Sequence, residues 1–250
     1  MSPRAYKPSK RDFNVETMEL QKTMTRNPIL TNYYCVEGLP GLGKSTALEK
    51  LPKTIFMVKE VLEEAKNVRR RERFKHKREK VRYENEWYLI REVERIKKAE
   101  KAEKEIVIFD RCIYSQMAHN FANDKILGTE ELEHLFSRLI ELERRGVRLT
   151  MRMIYLKATP SFSMKRQLYR NRGGEAMKVR IKANGWHSLE FLNYAKQAYE
   201  RLVEVLGDNA TVINVPDEQG DIEILIKEYV DRSKDSMPDI SIGNIRDAFL

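Results

Sequence analysis

The chain has 250 residues and a mass of 29.5 kDa, enough for one sizeable α/β domain with extensions. Hydrophobic residues make up 41% and charged residues 34%, a soluble globular balance, and the longest apolar runs, IVIF and MIYL, are far too short to cross a bilayer. The net charge of +9 favours anionic partners, and much of the excess comes from one run, RRRERFKHKREKVR, over residues 69–82.

That run reads first as a solvated helix face; contact with nucleic acid or with substrate phosphates stays open but is not favoured. The two cysteines make no disulfide framework, so a reducing, intracellular compartment is expected, cytoplasmic by default, with a mitochondrial or nuclear address left open. The first 16 residues contain no apolar block of the kind a secretory signal carries. His76, His119, His134 and His187 are scattered without metal-ligand spacing, which argues against a zinc site.

Residues 1–28 read as a polar, basic N-terminal extension with at most a short helix over 16–24. From Leu30 strands and helices alternate. ILTNYYCVE is β-branched and aromatic and runs straight into a glycine loop; a helix follows from Lys44 until Pro52 stops it. TIFMV is a second short strand, and a long helical stretch covers 59–104, broken near the basic run. EIVIFD is a third strand, apolar throughout as a buried parallel strand should be. Residues 129–145 form an amphipathic helix closed by Gly146. VRLTMRMIYL is the fourth strand, and Thr159-Pro160 supplies an N-cap and a first-turn proline for the next helix. Residues 188–206 form another amphipathic helix ending at Gly207, ATVINV a fifth strand, and 221–231 a last helix. The tail over 233–250 shows little pattern, so the main domain is taken as 29–232. Alternation of this kind predicts an α/β fold, a doubly wound five-stranded parallel sheet flanked by helices.

Three segments carry chemistry. Gly38-Leu39-Pro40-Gly41-Leu42-Gly43-Lys44-Ser45 fits G-x-x-x-x-G-K-[ST] and stands between a strand and a helix, the context that motif requires. Gly38, Gly41 and Gly43 let backbone N–H groups surround phosphates; Lys44 reaches the β and γ phosphates, Ser45 offers its hydroxyl to Mg²⁺, and Thr46 follows as a further ATP-binding residue. Asp110 ends the third strand, where it is a candidate for holding Mg²⁺ or orienting the acceptor, or else caps the following turn. Arg111 follows it where ATP-hydrolysing motors place a second acid, which disfavours a motor and fits a small-molecule kinase. In MKRQLYRNRGGE, Arg166 and Arg170 share a helix face and Arg172 precedes Gly173-Gly174. Three guanidiniums on a triphosphate would neutralise transition-state charge, and 166–187 reads as a flexible lid that shuts out water.

These segments resemble the deoxynucleoside kinase family and, more loosely, the thymidylate kinases. DRCIYS resembles the family's acidic-Arg-Ser-x-x-Ser segment, with Cys112 in place of serine; IYLKATPSFSMKRQLYRNRGGE is similar to its strand, TP and arginine lid with a trailing glutamate, and SLEFL to the Leu-Glu-Tyr-Leu that follows. The likeness covers about residues 30–215. It implies ATP-Mg²⁺ as donor, a nucleoside or nucleotide as acceptor, and often a homodimer. It also implies that Arg111 contacts the reacting 5′ end, that Arg166, Arg170 and Arg172 form the lid, and that Glu175 binds the sugar 3′-hydroxyl. Trp87 and Tyr88 stand where the family's base-reading glutamine is expected, and Gln116 where some members have a base-sensing aspartate. Aromatics over 83–90, Tyr83 among them, would wall the acceptor pocket, though core packing explains Trp87 and Tyr88 about as well.

Hydroxyl and phosphate acceptors make different demands. A sugar hydroxyl wants a general base; a monophosphate wants cations to hold it. In FMVKEV, Glu60 lies where deoxynucleoside kinases place their catalytic carboxylate, and the Phe-x-Arg-Glu-Pro segment of thymidylate kinases is missing. Glu60 also fits a first-turn helix acid, and Lys59 would serve a phosphate in arginine's place. The expected activity is therefore ATP-dependent phosphorylation of a deoxynucleoside 5′-hydroxyl, with a thymidylate-type monophosphate kinase as the alternative and a nucleotide-regulated nucleic-acid-binding protein third.

Overall fold

The computed structural model describes residues 32–59, 77–170, 188–215, 221–233 and 240–250. The N-terminal extension, Glu60, the first part of the basic run, Arg172, Glu175 and the rest of the expected lid lie outside them. The elements run β1 Asn32–Gly38, α1 Lys44–Glu49, β2 Phe56–Val58, α2 Lys77–Lys101, β3 Ile106–Asp110, α3 Ile113–Leu127 and α4 Glu131–Arg144. Then come β4 Arg152–Lys157, α5 Pro160–Arg170, α6 Leu189–Leu206, β5 Ala210–Asn214, α7 Ile222–Ser233 and α8 Ile242–Phe249.

The strands form one parallel sheet in the order β2-β3-β1-β4-β5, as the alternation predicts. β1 sits in the middle, where the order reverses, so a crevice opens beyond its carboxyl end. β1, β3 and β4 are buried almost end to end because helices cover both faces. Side chains alternate along β1: Glu37 meets Ser115 of α3 and Tyr199 of α6, whereas Tyr34 points the other way and donates to the Val230 carbonyl of α7 (3.4 Å). Residues that belong to the site thus stand on one face of the sheet, at one end of it.

Local signals set several boundaries. The Thr159 side chain accepts from the Phe162 amide (3.2 Å) at the start of α5, and Ser188 caps α6 by accepting from Phe191 N (3.4 Å). Gly146 (φ 83°) closes α4, with the Val147 amide returning to the Leu142 carbonyl. The fourth strand is shorter than the apolar run suggests: residues 147–151 carry no ladder, and pairing starts at Arg152. Buried Tyr114 takes over there, its hydroxyl donating to the Met151 carbonyl (2.9 Å) and accepting from the Met151 amide (3.1 Å).

Two helices depart from the sequence reading. No helix is expected between the third strand and residue 129, yet α3 fills 113–127 with Ile113, Tyr114, Met117, Ala118, Phe121 and Ala122 all buried. It packs against β1, α2, α4 and α6, so it lacks the polar stripe by which an amphipathic helix is recognised. The tail is the second case. A capping box between Ser241 and Asn244 starts α8, and Ile242, Ile245 and Phe249 are buried. Phe249 lies edge-on to Phe121 (5.7 Å) and tilted on Phe136 (5.8 Å), while Arg246 forks onto Glu133 (2.8 and 3.3 Å). Eight residues are too few for periodicity to stand out; the partner surface on α4 and α6 makes the helix.

Phe249→Ala should therefore destabilise the fold by about 3 kcal/mol, the usual cost of emptying a buried aromatic site. Urea denaturation measures it; a loss under about 1 kcal/mol, the level of a surface change, would mean that α8 does not dock as described.

Candidate active site

β1 delivers the chain into the glycine loop with no room to spare. A Cβ on Gly38 (φ 133°) would lie 2.4 Å from the Leu156 carbonyl oxygen of β4. Gly41 (φ 83°) meets α5, where a Cβ would come within 3.2 Å of the Arg166 Cβ; Gly43 (φ 85°) precedes α1 in open space. The loop is stapled to α5: Ser163 Oγ donates to the Pro40 carbonyl (2.7 Å) and Arg166 Nε to the Gly41 carbonyl (3.4 Å). Lys44 is buried, its ammonium donating to the carbonyls of Gly38 (3.0 Å) and Leu39 (2.8 Å) inside the loop. Ser45 is half-buried and Thr46 exposed at the start of α1, beside a cleft bordered by Lys50, Arg166, Val215 and Asp221. Thr46 and Arg166 thus border one cleft, next in sequence or in space to the loop that holds Lys44. Arg170 ends α5 one turn on, with its side chain outside the described residues.

On the next strand, Val36 of β1 stands opposite Asp110 of β3. Asp110 is 3% exposed, and its Oδ1 has no hydrogen-bond partner among the described residues. Arg111 adopts a left-handed backbone (φ 60°) and donates its amide to the Val36 carbonyl (3.2 Å). A non-glycine residue pays about 1–2 kcal/mol for that conformation, so its surroundings must hold it there.

Arg95 supplies much of that hold. This buried arginine of α2 donates Nη2 to the carbonyls of Arg111 (2.8 Å), Asp110 (3.0 Å) and Val58 (3.4 Å), tying together the carboxyl ends of β2 and β3. Glu92, one turn back, accepts from Arg95 Nη1 (2.6 Å). Burial raises the Glu92 pKa, and the adjacent guanidinium opposes the rise. Neither residue is visible in the sequence as functional, because a Glu-x-x-Arg pair in a helix ordinarily marks solvent-facing surface.

The Arg111 side chain is gripped as well. Its Nη1 donates to Ser115 Oγ (2.9 Å) and to the Tyr199 hydroxyl (3.4 Å), and lies 4.0 Å from Glu37 Oε2. Glu37 itself is wholly buried. Its Oε1 accepts from the amides of Cys112 (2.8 Å) and Ser115 (3.2 Å), and its Oε2 from Ser115 Oγ (2.5 Å) and the Tyr199 hydroxyl (3.1 Å). Burial, and then the Glu37 carboxylate, push the Tyr199 pKa well above the usual tyrosine value, so the hydroxyl remains a donor at neutral pH. Cys35 and Cys112 bring thiols within 4.8 Å of Glu37, but burial raises both thiol pKa values and the carboxylate already accepts four hydrogen bonds, which disfavours a metal there.

Gln116, one residue after Ser115, is buried against α2. Its Nε2 donates to the Asn85 carbonyl (2.9 Å) and to Asn85 Oδ1 (3.2 Å), which also accepts from Asn120 (2.9 Å). Both Gln116 amide hydrogens are thereby committed, which fixes which way its oxygen points. At 100° per residue, Asn85, Leu89, Glu92 and Ile96 define the core side of α2; Tyr88 flanks it on the side of Arg95, and the half-buried Tyr83 and Trp87 start from the far side, with the Trp87 ring turned edge-on to that of Tyr88 (5.2 Å).

A family model described as deoxynucleoside kinase matches residues 34–231. The chain belongs to the deoxynucleoside kinase family. It is accordingly a phosphotransferase, and the phosphate loop and Arg111 stand at the sheet end where such chemistry belongs. Among solved structures, a deoxyadenosine kinase from M. mycoides with the products dCMP and a flexible dCDP bound is similar at a TM-score of 0.56 and 18% identity, over 80% of this chain and 99% of that one. At that identity the likeness is one of fold. No curated protein matches the chain.

Two of the loop glycines are separable by experiment. Gly43→Ala has space for its methyl group and should cost only backbone strain, about 1–2 kcal/mol. Gly38→Ala drives the methyl into the Leu156 carbonyl and should cost more than 3 kcal/mol or prevent folding. Equal stabilities in urea denaturation would contradict the described approach of β1 to β4.

Proposed function

We propose that this chain transfers the γ-phosphoryl group of ATP to the 5′-hydroxyl of a deoxynucleoside. The observation that carries the reading is the fixing of Arg111 at the end of β3, one strand from the glycine loop at the end of β1. A guanidinium held there serves a developing negative charge at low cost, because little reorganisation is left to be done when the charge appears.

The residues fit a magnesium-bound triphosphate. Glycines with positive φ bring backbone N–H groups to the phosphates, Lys44 and Arg166 supply positive charge, and Asp110, whose Oδ1 has no hydrogen-bond partner among the described residues, offers a carboxylate at the end of the adjacent strand. Ser45 and Asp110 would hold Mg²⁺, which neutralises phosphate charge when bound. The cleft by Thr46, Lys50 and Asp221 would receive the rest of the donor. Arg170 and Arg172 would join Arg166 over the transferring group, and Glu175 would bind the sugar 3′-hydroxyl.

Glu60 is assigned the general base. It lies outside the described residues, but β2 ends two positions earlier at Val58, whose carbonyl shares the Arg95 guanidinium with Asp110 and Arg111. Gln116 and Tyr88 would meet the acceptor base, with Trp87 edge-on to Tyr88 behind it and Tyr83 one turn earlier on α2.

A phosphate-transfer screen with ATP, Mg²⁺ and a panel of nucleosides and nucleoside monophosphates tests the reading, with products identified by chromatography. Nucleosides should gain one phosphate. Glu60→Gln should abolish that transfer, and Arg111→Ala should lower kcat by about 10²–10³, the worth of one preorganised charge-stabilising group. Conversion of monophosphates alone would move the acceptor role to Lys59 and Arg111 as phosphate holders. Near-native turnover by Glu60→Gln on nucleosides would remove it from the base role.

A further inference from the structure

Glu37 has no task in the reaction as described, yet few residues are placed at greater expense. It directly precedes Gly38 and is wholly buried beneath the glycine loop. Removing a carboxylate from water is costly unless its lone pairs are met. Here all the donors that meet it lie far away in the sequence: Cys112 and Ser115 open α3, and Tyr199 comes from α6. Two of these groups are hydroxyls, and both accept from Arg111 Nη1 in turn. Glu37 and Arg111 form an ion pair at 4.0 Å, too long for a direct hydrogen bond, and the two hydroxyls bridge it.

Ser115 and Tyr199 each have one hydroxyl hydrogen. Ser115 gives its hydrogen to Glu37 Oε2 (2.5 Å), and the Tyr199 hydroxyl lies 3.1 Å from both Glu37 Oε2 and Ser115 Oγ; with either acceptor the chain of hydrogens ends on the carboxylate and leaves oxygen lone pairs for the guanidinium. Replacing the carboxylate by a neutral group would free those hydrogens to turn toward Arg111 and oppose it. An arginine side chain loses much rotamer freedom on being ordered, and ordering it in advance takes that loss out of the reaction step. Arg95 holds the Arg111 backbone by a separate set of bonds, and Glu37 Oε1 holds the amides that follow it, so the two hydroxyls on Oε2 are the part of the relay that acts on the side chain.

We propose that Glu37, acting through Tyr199 and Ser115, is the positioning residue that aims the Arg111 guanidinium at the transferring phosphoryl group. This rests on the reading that Arg111 contacts the reacting 5′ end. Tyr199 is the member to test, because its ring stacks on Tyr155 (5.4 Å, 25°) and a phenylalanine would keep that packing. Tyr155 is the internal control: its own hydroxyl is buried without a partner among the described residues, so removing it leaves the relay untouched.

The experiment measures kcat, the KM of each substrate and Tm for Tyr199→Phe, Tyr155→Phe, Arg111→Lys and the Tyr199→Phe/Arg111→Lys double variant. Tyr199→Phe should lower kcat about tenfold, the scale of one hydrogen bond to a charged network, with donor KM unchanged. On the Arg111→Lys background the same change should cost less than about twofold, because a group that acts through Arg111 has nothing left to aim. Tyr155→Phe should keep kcat within about twofold of the parent, as removal of an unpaired hydroxyl should. Full kcat in Tyr199→Phe, or equal losses on both backgrounds, would overturn the proposal and leave Tyr199 a packing residue. Wild-type turnover in Arg111→Lys and Arg111→Ala is a separate result, which would sink the reading of Arg111 itself.

Discussion

A carboxylate buried at the end of the central strand has to be surrounded by donors, and in this chain that requirement organises the site. Glu37 cannot be satisfied by its own strand, whose backbone groups are spent on β3 and β4. It draws the first turn of α3 to its Oε1, where the helix N-terminus welcomes negative charge, and the α6 hydroxyl to its Oε2. Elements from three parts of the chain are thus brought together, directly behind the loop that receives phosphates. Shape and charge are set by the same contacts.

Two further constraints act beside it. Arg95 ties the outgoing ends of β2 and β3 together through three carbonyls, which also stabilises the left-handed turn at Arg111. Packing of α5 on the glycine loop through Ser163 and Arg166 means that the loop and the helix leading toward 171–187 share one position. The site is therefore a set of strand ends whose relative placement is fixed from behind by buried charge, with glycines where the backbone itself must approach a ligand. Such a design spends stability on polar groups in the core; the aromatic packing of Phe249, Phe121 and Phe136 on the far side of α3 supplies apolar burial that offsets it.

Much of this was legible in the sequence, for identifiable reasons. All five strands are apolar runs between turn residues, and the caps at Thr159 and Gly146 act through bonds to residues a few positions away. The phosphate loop is readable because its spacing encodes a backbone path. Arg111 stands out because it follows a strand-end Asp. Harder to see were α3, which is buried on several sides and so has no polar stripe, and α8, which is too short to show a period. Tyr83 and Trp87 leave α2 on the side away from Asn85, a matter of helical phase that composition does not show.

The sequence by itself determined the order of the five strands, the parallel sheet and the presence of a phosphate-binding loop, since each depends on the conformational preferences of neighbouring residues. Only the tertiary structure decided that Glu37, Ser115 and Tyr199 form one network around Arg111, and that a helical Glu92–Arg95 pair points inward to hold strand ends. Glu37 and Tyr199 are 162 positions apart, and neither belongs to a spacing rule. What joins them is the energetic penalty on an unsatisfied buried charge, which exists only once the chain has folded around it.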